Sequence, residues 1–144
     1  MKTWIAEEPL KPEELQASVL DQGHGAMALF VGIVRATHEG RRVSAVSYEA
    51  FKPLAEKVLA RIVREAERRF GARVAAAHRL GRLKVGEASV IVAAGSPHRG
   101  EAFEACRAAI EEIKARLPVW KKELYINGES RWLKGCSLAT GHER

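Results

Sequence analysis

Apolar and polar residues alternate along the chain in blocks that predict several strands. Residues 25–35 (GAMALFVGIVR) have the pattern of a strongly apolar strand. Residues 88–96 (ASVIVAAGS) are continuously apolar, which is typical of a strand that is buried on both faces. We expect the strand over 88–96 to lie in the interior of its sheet. Residues 43–50 (VSAVSYEA) carry the β-branched and aromatic side chains that favour a third strand.

Shorter patterns predict the remaining strands and the connections between them. Further strands are expected over residues 3–6, 72–83, 119–126 and 130–133. Asn127-Gly128 lies between the last two and is a strong hairpin signal. A polar loop (ATHEGRR) with Gly40 near its tip follows the first long strand, and a turn is expected around Gly86.

Helical periodicity predicts one short and two long helices. Pro12 begins the short helix, which reaches about Leu20. Pro53 begins the second helix, and Gly71 ends it. The third helix begins with Ser96 as its cap and Pro97 in its first turn. Pro118 ends this third helix.

Apolar residues spaced by three or four positions define the predicted buried face of each long helix. In the second helix they are Leu54, Val58, Leu59, Ile62, Val63, Ala66 and Phe70. In the third helix they are Phe103, Cys106, Ile110, Ile113 and Leu117. Lys114 lies beside this second set, on the shoulder of the apolar face.

The order of these elements favours an α+β fold with mixed or mainly antiparallel sheets. Strands and helices alternate, yet two hairpins are expected, which argues against a purely parallel sheet. The 144 residues fit a single domain over 1–144. Residues 135–144 carry no pattern, and we expect them to form a flexible tail.

Composition and charge indicate which kind of partner the chain binds and which cellular compartment suits it. The net charge of +6 indicates an anionic partner, which could be a nucleic acid, a phosphorylated small molecule or an acidic protein tail. Cys106 and Cys136 are too far apart for a metal or redox motif, so a reducing cytoplasm is the simplest compartment. No stretch approaches the roughly 20 apolar residues of a membrane span. The histidines lack metal-ligand spacing, and we expect neither a metal nor a cofactor.

His98 and Arg99 place two basic side chains at the start of the third helix. Free N–H groups and the helix dipole attract anions there, and the same dipole disfavours cations unless an anion is present. The pair therefore predicts an anion site, with Arg35 or a lysine close by. The alternative is a basic pair that is simply solvated.

Lys114 and Lys121 flank the proline that ends the third helix. A helix end and the strand that leaves it can bring two ammonium groups into one pocket, where each lowers the pKa of the other. Such a lysine can act as a nucleophile, a proton donor or a phosphate ligand. The alternative is a lysine whose stem packs while its ammonium reaches water. Arg35 ends an apolar strand, and it could equally be leaving the core for water.

Five ordered blocks resemble the large, catalytic subunit of molybdopterin synthase. The blocks are FVGIVR, HRLGRLKVGE, SPHRGEAFEAC, IKARLPVWKKE and RWL, and they span about residues 25–133. The resemblance implies a fold similar to an α/β hammerhead, with an added antiparallel sheet and two to three main helices. It also implies a homodimer at the centre of a heterotetramer, with a small ubiquitin-like sulfur-carrier subunit at each end.

The activity implied by this resemblance is sulfur transfer. The carrier's C-terminal glycine, as a thiocarboxylate, would donate sulfur to cyclic pyranopterin monophosphate and so produce the dithiolene of molybdopterin. The alternative is a non-catalytic basic RNA-binding module. Only 6% of the residues are aromatic and no RNP- or KH-like motif appears, so this alternative is disfavoured and neither nucleic acid nor membrane is expected as a partner.

The resemblance also implies a set of site residues. The substrate contacts would be Ile33, Val34, Arg35, His98, Arg99, Lys114, Lys121, Lys122 and Glu123. Lys114 would be the main catalytic cation or proton donor, with Lys121 in support, and His98 an acid, a base or a phosphate ligand. The family often adds a basic residue from the neighbouring subunit, for which Arg131 and Lys134 are the candidates.

Overall fold

A computed structural model gives the fold of the chain and describes residues 2–134. These residues form three helices and nine strands. The elements are β1 (Thr3–Ala6), α1 (Pro12–Val19), β2 (Ala26–Ile33), β3 (Thr37–His38), β4 (Arg41–Glu49), α2 (Lys52–Phe70), β5 (Arg73–Arg79), β6 (Gly81–Lys84), β7 (Ala88–Ser96), α3 (Arg99–Arg116), β8 (Trp120–Tyr125) and β9 (Ser130–Lys134). The tail predicted over 135–144 lies outside the described residues.

The first sheet has four strands in the order β1-β5-β7-β2. β1 is parallel to β5, and the other pairs are antiparallel. β7 lies inside this sheet, as predicted from its continuous apolar sequence. Val90 and Val92 pack into one core cluster with residues of α2 and α3, whereas Ile91 and Ala93 pack into a second cluster with residues of α1. Helices therefore cover both faces of the sheet.

The second sheet joins β3, β4, β8 and β9 in that order, with β6 also paired to β4. All of its described pairs are antiparallel. The hairpin predicted at Asn127-Gly128 joins β8 to β9, and Gly128 has the positive φ (90°) that this turn requires. One mixed sheet and one antiparallel sheet with three helices confirm the predicted α+β class.

The strand predicted over residues 72–83 is divided into two strands that belong to different sheets. β5 ends at Arg79 in the first sheet, and β6 begins at Gly81 in the second. Gly81 has a φ of 99°, a conformation that residues with a side chain rarely adopt. The chain turns at this glycine, and the apolar pattern on either side concealed the break.

The polar loop predicted after β2 also contains a short hairpin. β3 pairs with the first residues of β4 around Glu39-Gly40, and both turn residues have positive φ. Two such residues in succession are typical of the tight turns that connect twisted strands. This hairpin holds β3 against the second sheet.

The predicted buried faces of α2 and α3 are partly wrong. Leu54 is 47% exposed and Phe103 is 64% exposed, although both were expected in the core. The buried residues are Ala55, Leu59, Ile62, Val63 and Ala66 in α2, and Ala102, Ala105, Cys106, Ala109 and Ile113 in α3. Alanines contribute much of the buried face because they let the helices approach the sheet closely, whereas the prediction relied on large residues.

The start of α3 also differs from the prediction. The helix begins at Arg99, and His98 occupies the cap position without a side-chain hydrogen bond to the helix. Ser96 ends β7, and its hydroxyl donates to the carbonyl of His98 instead of capping the helix. Among residues 2–134, no helix is both long and apolar enough to cross a membrane.

Candidate functional site

A pocket of about 170 Å³ opens where the end of β2, the end of α3 and the start of β8 come together. One part of its lining is the end of β2 with the segment that follows: Gly32, Ile33, Val34, Arg35, Thr37 and His38. The other part comes from β4, β7, α3 and β8: Val46, Tyr48, Ser89, Lys114, Lys121 and Glu123. We call this cavity the lysine pocket.

Gly32 fixes the path of β2 into the lysine pocket. The pairing of β2 with β7 shifts register between Gly32 and Ile33. A Cβ atom at Gly32 would lie 2.6 Å from Cγ1 of Val90, so any other residue would require the buried Val90 side chain to move. Beyond the bulge, the amide of Val34 donates to the carbonyl of Glu87 at 3.0 Å. This anchor leads the chain to Arg35 at the pocket wall.

The connection from α3 to β8 supplies the two lysines. Leu117 donates to the carbonyl of Ile113 at 3.0 Å, and Pro118 then prevents the helix from continuing. In β8, Lys121 lies opposite Tyr48, and Glu123 lies opposite Val46. Successive side chains of a strand point to opposite faces, so Lys121 and Glu123 share the pocket face.

Lys114 lies in a partly buried, cationic environment. Burial lowers the pKa of its ammonium, and the positive charge of Lys121 lowers that pKa further. His78 lies near Lys114 and packs edge-on against Tyr48, with 5.0 Å between the ring centroids. Burial lowers the pKa of His78 to about 4, so this imidazole is neutral near pH 7 and adds no third charge beside the lysines.

Glu123 is the buried anion of the lysine pocket, with only 3% of its surface exposed. Its Oε1 accepts hydrogen bonds from Nδ1 of His38 and from the hydroxyl of Tyr125, each at 2.8 Å. Burial alone would raise the pKa of Glu123. The hydrogen bonds from His38 and Tyr125, with the positive charge of Lys121, outweigh burial and leave the pKa lowered. Glu123 is therefore ionised at neutral pH.

Comparison with known proteins identifies the family. The family model described as "MoaE protein" matches residues 5–116. The chain belongs to the MoaE family. The molybdopterin synthase catalytic subunit of Synechococcus elongatus is 47% identical over 120 residues, which are 82% of this chain and 73% of that protein. The expected family and the activity of a molybdopterin synthase catalytic subunit in molybdenum cofactor biosynthesis are thus confirmed, and an RNA-binding module is not supported.

Solved structures agree with this assignment. Molybdopterin synthase from Staphylococcus aureus is 36% identical and gives a TM-score of 0.84, with 92% of this chain and 95% of that chain covered. A complex of subunits 1 and 2 of the molybdopterin-converting factor from Helicobacter pylori contains a chain that is 25% identical. That chain gives a TM-score of 0.70, with 92% of this chain and 88% of its own length covered.

The lysine pocket of this MoaE chain gathers most of the site residues expected from the sequence. They are Ile33, Val34, Arg35, Lys114, Lys121 and Glu123. His38 and Tyr48 also line the pocket, and sequence analysis missed them as site residues. Their one sequence signal is position: His38 follows Arg35 by three residues, and Tyr48 lies on the strand that pairs with the lysine-bearing segment.

His98 and Arg99 do not line the lysine pocket of their own chain. They line a separate, open pocket with Gly25 and Ala26 at the other end of α3. At 1.5 Å per residue, the helix separates Arg99 from Lys114 by about 22 Å. The predicted anion site at the helix start therefore has neither Arg35 nor a lysine of the pocket beside it.

The three other predicted residues lie on β8 and β9. Lys122 points to the opposite face of β8 from Lys121 and Glu123, and its ammonium lies 5.5 Å from the ring centroid of Trp132. A guanidinium nitrogen of Arg131 lies 3.6 Å from the carboxylate of Glu39 in the same chain. Lys134 is the last residue of β9, and its backbone pairs with Trp120.

The burial of His78 predicts that acid destabilises the fold. Its folded pKa of about 4 lies below its ordinary value of 6.5, so the unfolded chain binds the proton more readily between these values. The contribution of His78 is complete above pH 6.5 and is lost as the pH falls to about 4, by about 3 kcal/mol in total. Urea unfolding of the wild type and of His78→Phe at pH 7 and pH 4 measures this, because phenylalanine keeps a ring beside Tyr48. An equal loss of stability in both proteins would contradict the prediction.

Proposed function

We propose that the lysine pocket is where this chain transfers sulfur from the thiocarboxylated C-terminus of a small carrier subunit to cyclic pyranopterin monophosphate. The product is the dithiolene of molybdopterin. The observation that carries this proposal is the convergence of Arg35, Lys114 and Lys121 on one partly buried cavity. Among the described lining residues, the only carboxylate that accompanies these three cations is Glu123.

The charge of the lysine pocket suits the two reactants. The substrate carries a cyclic phosphate and the carrier tail carries a thiocarboxylate, so two anions must approach each other. Ammonium and guanidinium groups offset their repulsion and stabilise charge that develops as sulfur is transferred. Lys114 is the catalytic cation, and its lowered pKa also makes it a better proton donor than an ordinary lysine. Lys121 supports it, and Arg35 binds the phosphate.

The carrier partner is proposed from the complex of two subunits in the Helicobacter pylori protein. A small, ubiquitin-like subunit with a Gly-Gly terminus has a slender tail that fits a narrow pocket. Arg35, Lys114 and Lys121 would attract its terminal thiocarboxylate. A cytoplasmic reaction suits the thiocarboxylate and the free thiol of Cys106.

The homodimer is proposed to form along the outer edge of β2. β2 is the last strand of the first sheet, and Met27, Leu29 and Phe30 are 41%, 39% and 38% exposed. An open strand edge with apolar side chains is suited to pairing with a second copy of itself. Two such homodimer subunits, each with one carrier, make the proposed heterotetramer.

Antiparallel pairing of the two β2 strands would also explain His98 and Arg99. It would set the first residues of one β2 beside the last residues of the other, about 23 Å along the strand at 3.3 Å per residue. His98 and Arg99 share a pocket with Ala26, the first residue of β2, while Ile33 reaches the lysine pocket. The partner subunit's His98 and the partner subunit's Arg99 would thus approach the lysine pocket and complete its anion site.

Reconstitution tests the proposed function. We expect the purified chain, mixed with thiocarboxylated carrier and cyclic pyranopterin monophosphate, to form one dithiolene for every two thiocarboxylates consumed, because each carrier gives one sulfur. The matched control is carrier that ends in an ordinary carboxylate, which has the same tail but no sulfur to give. Absence of dithiolene with active carrier, or equal signal with the control carrier, would refute the proposal.

A further inference from the structure

His38 is a buried histidine of the lysine pocket with a carboxylate on its inner side. It belongs to β3, is 7% exposed and lines the same cavity as Lys114 and Lys121. Its Nδ1 lies 2.8 Å from Oε1 of Glu123, which also accepts the Tyr125 hydroxyl. The imidazole is thus held by a residue that lies 85 positions away in sequence.

This contact fixes which ring nitrogen carries the proton. Glu123 is ionised and can only accept, so Nδ1 of His38 must be the donor. In the neutral ring, Nε2 is then the basic nitrogen. Oε1 of Glu39 lies 3.8 Å from Nε2, which is beyond hydrogen-bonding distance. Nε2 therefore keeps its lone pair available to an incoming proton.

Two carboxylates lie on either side of this ring. Oε1 of Glu123 lies 2.8 Å from Nδ1, and Oε1 of Glu39 lies 3.8 Å from Nε2. The other charged groups act at longer range: Lys121 acts on Glu123, Arg131 lies 3.6 Å from Glu39, and Arg41 lies 3.7 Å from the ring centroid of Tyr125. A buried carboxylate that orients an imidazole is a recurring arrangement in enzymes that move protons.

We propose that His38 is the general base that releases the carrier during sulfur transfer, and that Glu123 is its positioning residue. This inference rests on the proposed function of the lysine pocket. Glu123 fixes the tautomer of His38 and stabilises the imidazolium, and it does not exchange protons with the reactants.

The step requires one water molecule and no oxidant or reductant. The carrier's sulfur first bonds to a side-chain carbon of the substrate as the cyclic phosphate opens at that carbon and its oxygen leaves with the electron pair. That sulfur then links the carrier's acyl carbon to the substrate as a thioester. Water adds to the acyl carbon while Nε2 of His38 takes one of its protons. The acyl C–S bond then breaks with its electron pair on sulfur. The carrier leaves as a carboxylic acid that ionises, and the substrate keeps the sulfur as a thiolate beside Lys114 and Lys121.

Other basic groups near the pocket are less suited to this step. His78 donates through Nδ1 to the carbonyl of Arg79 at 2.8 Å, packs against Tyr48 and does not line the cavity. Lys114 and Lys121 are needed as cations for the thiolate. His38 combines a place on the pocket wall with a lone pair that faces away from its anchoring carboxylate.

His38→Gln is the principal test, because glutamine can still donate an N–H to Glu123 but cannot take up a proton. We expect the thioester adduct of carrier and substrate to form and accumulate, visible by mass spectrometry of the intact carrier. Carrier release should slow by about 100-fold or more. The pH profile of release should lose one ionisation, and carrier affinity should stay unchanged. His24→Gln is the matched control, since His24 lies outside the lysine pocket and contacts the carbonyl of Val19.

The variant Glu123→Gln tests whether Glu123 acts by positioning His38, while His38 itself still transfers the proton. It removes the charge behind His38 but keeps a side chain of the same shape. Its rate of release should fall while the KM for carrier stays the same. A rate of release equal to that of the wild type in this variant would show that Glu123 does not act through His38.

The outcomes distinguish this inference from the proposed function. If Lys114→Ala is inactive while His38→Gln releases carrier at the rate of His24→Gln, the role of His38 is refuted and the lysine pocket stands. If neither substitution affects sulfur transfer, the proposed function itself fails. If folded His38→Gln forms no adduct and releases no carrier, His38 acts before the release step. That result would also refute a role confined to release. His38→Asn, with melting temperatures for each variant, supplies the same readout if His38→Gln does not fold.

Discussion

Replacing Lys114 by alanine is expected to abolish nearly all sulfur transfer while the fold and the carrier complex are retained. Lys114 lies in the last full turn of α3, with its stem partly buried and its ammonium at the lysine pocket. Burial and the charge of Lys121 lower its pKa, which indicates that the ammonium acts in a poorly hydrated site. If it stabilises charge that develops on sulfur, its loss should reduce the rate by on the order of 100-fold or more.

The physical cost of this substitution to the fold should be small. Lys114 is not part of either core cluster, so the free energy of unfolding should fall by no more than about 1 kcal/mol. Lys114→Arg should rescue the rate poorly, because a broad guanidinium does not replace a compact ammonium that can also give up a proton. Single-turnover dithiolene formation, with a melting temperature for each variant, measures both effects.

Lys122→Ala is the matched control for Lys114→Ala. It removes the same charge eight residues later, but Lys122 lies on the opposite face of β8 above Trp132. Its rate should remain close to that of the wild type. Near-normal turnover by Lys114→Ala, or an equal loss in the two variants, would defeat the assignment of Lys114 as the catalytic cation.

The parts of the fold that the sequence predicted well are those that depend on local pattern. β7 was expected inside a sheet because residues 88–96 are apolar on both faces, and helices do cover both faces. The break at Gly81 was missed because the residues on either side have similar patterns and only the change of sheet distinguishes them. Phe103 was misplaced because periodicity ranks residues by size, whereas close contact between α3 and the sheet favours alanine.

Only those residues of the lysine pocket that lie in the motifs resembling the family could be predicted from the sequence. Arg35, Lys114 and Lys121 came from short motifs that lie in three separate elements, and the fold brings these elements together. The contact between His38 and Glu123 joins two strands that are far apart in sequence, so no local pattern contains it. His98 and Arg99 show the opposite case. Their motif was expected to lie beside Lys114, but the length of α3 separates them from Lys114 within one chain.

A substitution on the exposed edge of β2 is expected to separate the proposed dimer and to remove activity with it. In the double variant Met27→Glu and Leu29→Glu, four carboxylates would meet across the twofold axis where four apolar side chains would otherwise be buried. Burial of unpaired charge costs several kcal/mol, which outweighs the gain from pairing the two strands. The variant should be monomeric by light scattering at micromolar concentration, and the wild type should be dimeric.

Loss of activity in this monomer follows from the position of His98 and Arg99. Within one chain these residues lie at the far end of α3 from the lysine pocket, so a monomer would have Lys114 and Lys121 without the second part of the anion site. We expect a raised KM for the phosphorylated substrate together with a lower rate. Carrier binding should be retained if the carrier contacts only one subunit.

The matched control for this substitution is Leu54→Glu, which places the same charge on an exposed leucine of α2. Leu54 is 47% exposed and Leu29 is 39% exposed, so both sites tolerate a polar side chain in the isolated chain. Leu54→Glu should stay dimeric and active, and it should melt near the wild-type temperature. A dimeric β2 variant would show that the subunits meet on another surface. A monomeric variant with full activity would show instead that the lysine pocket is complete within one chain.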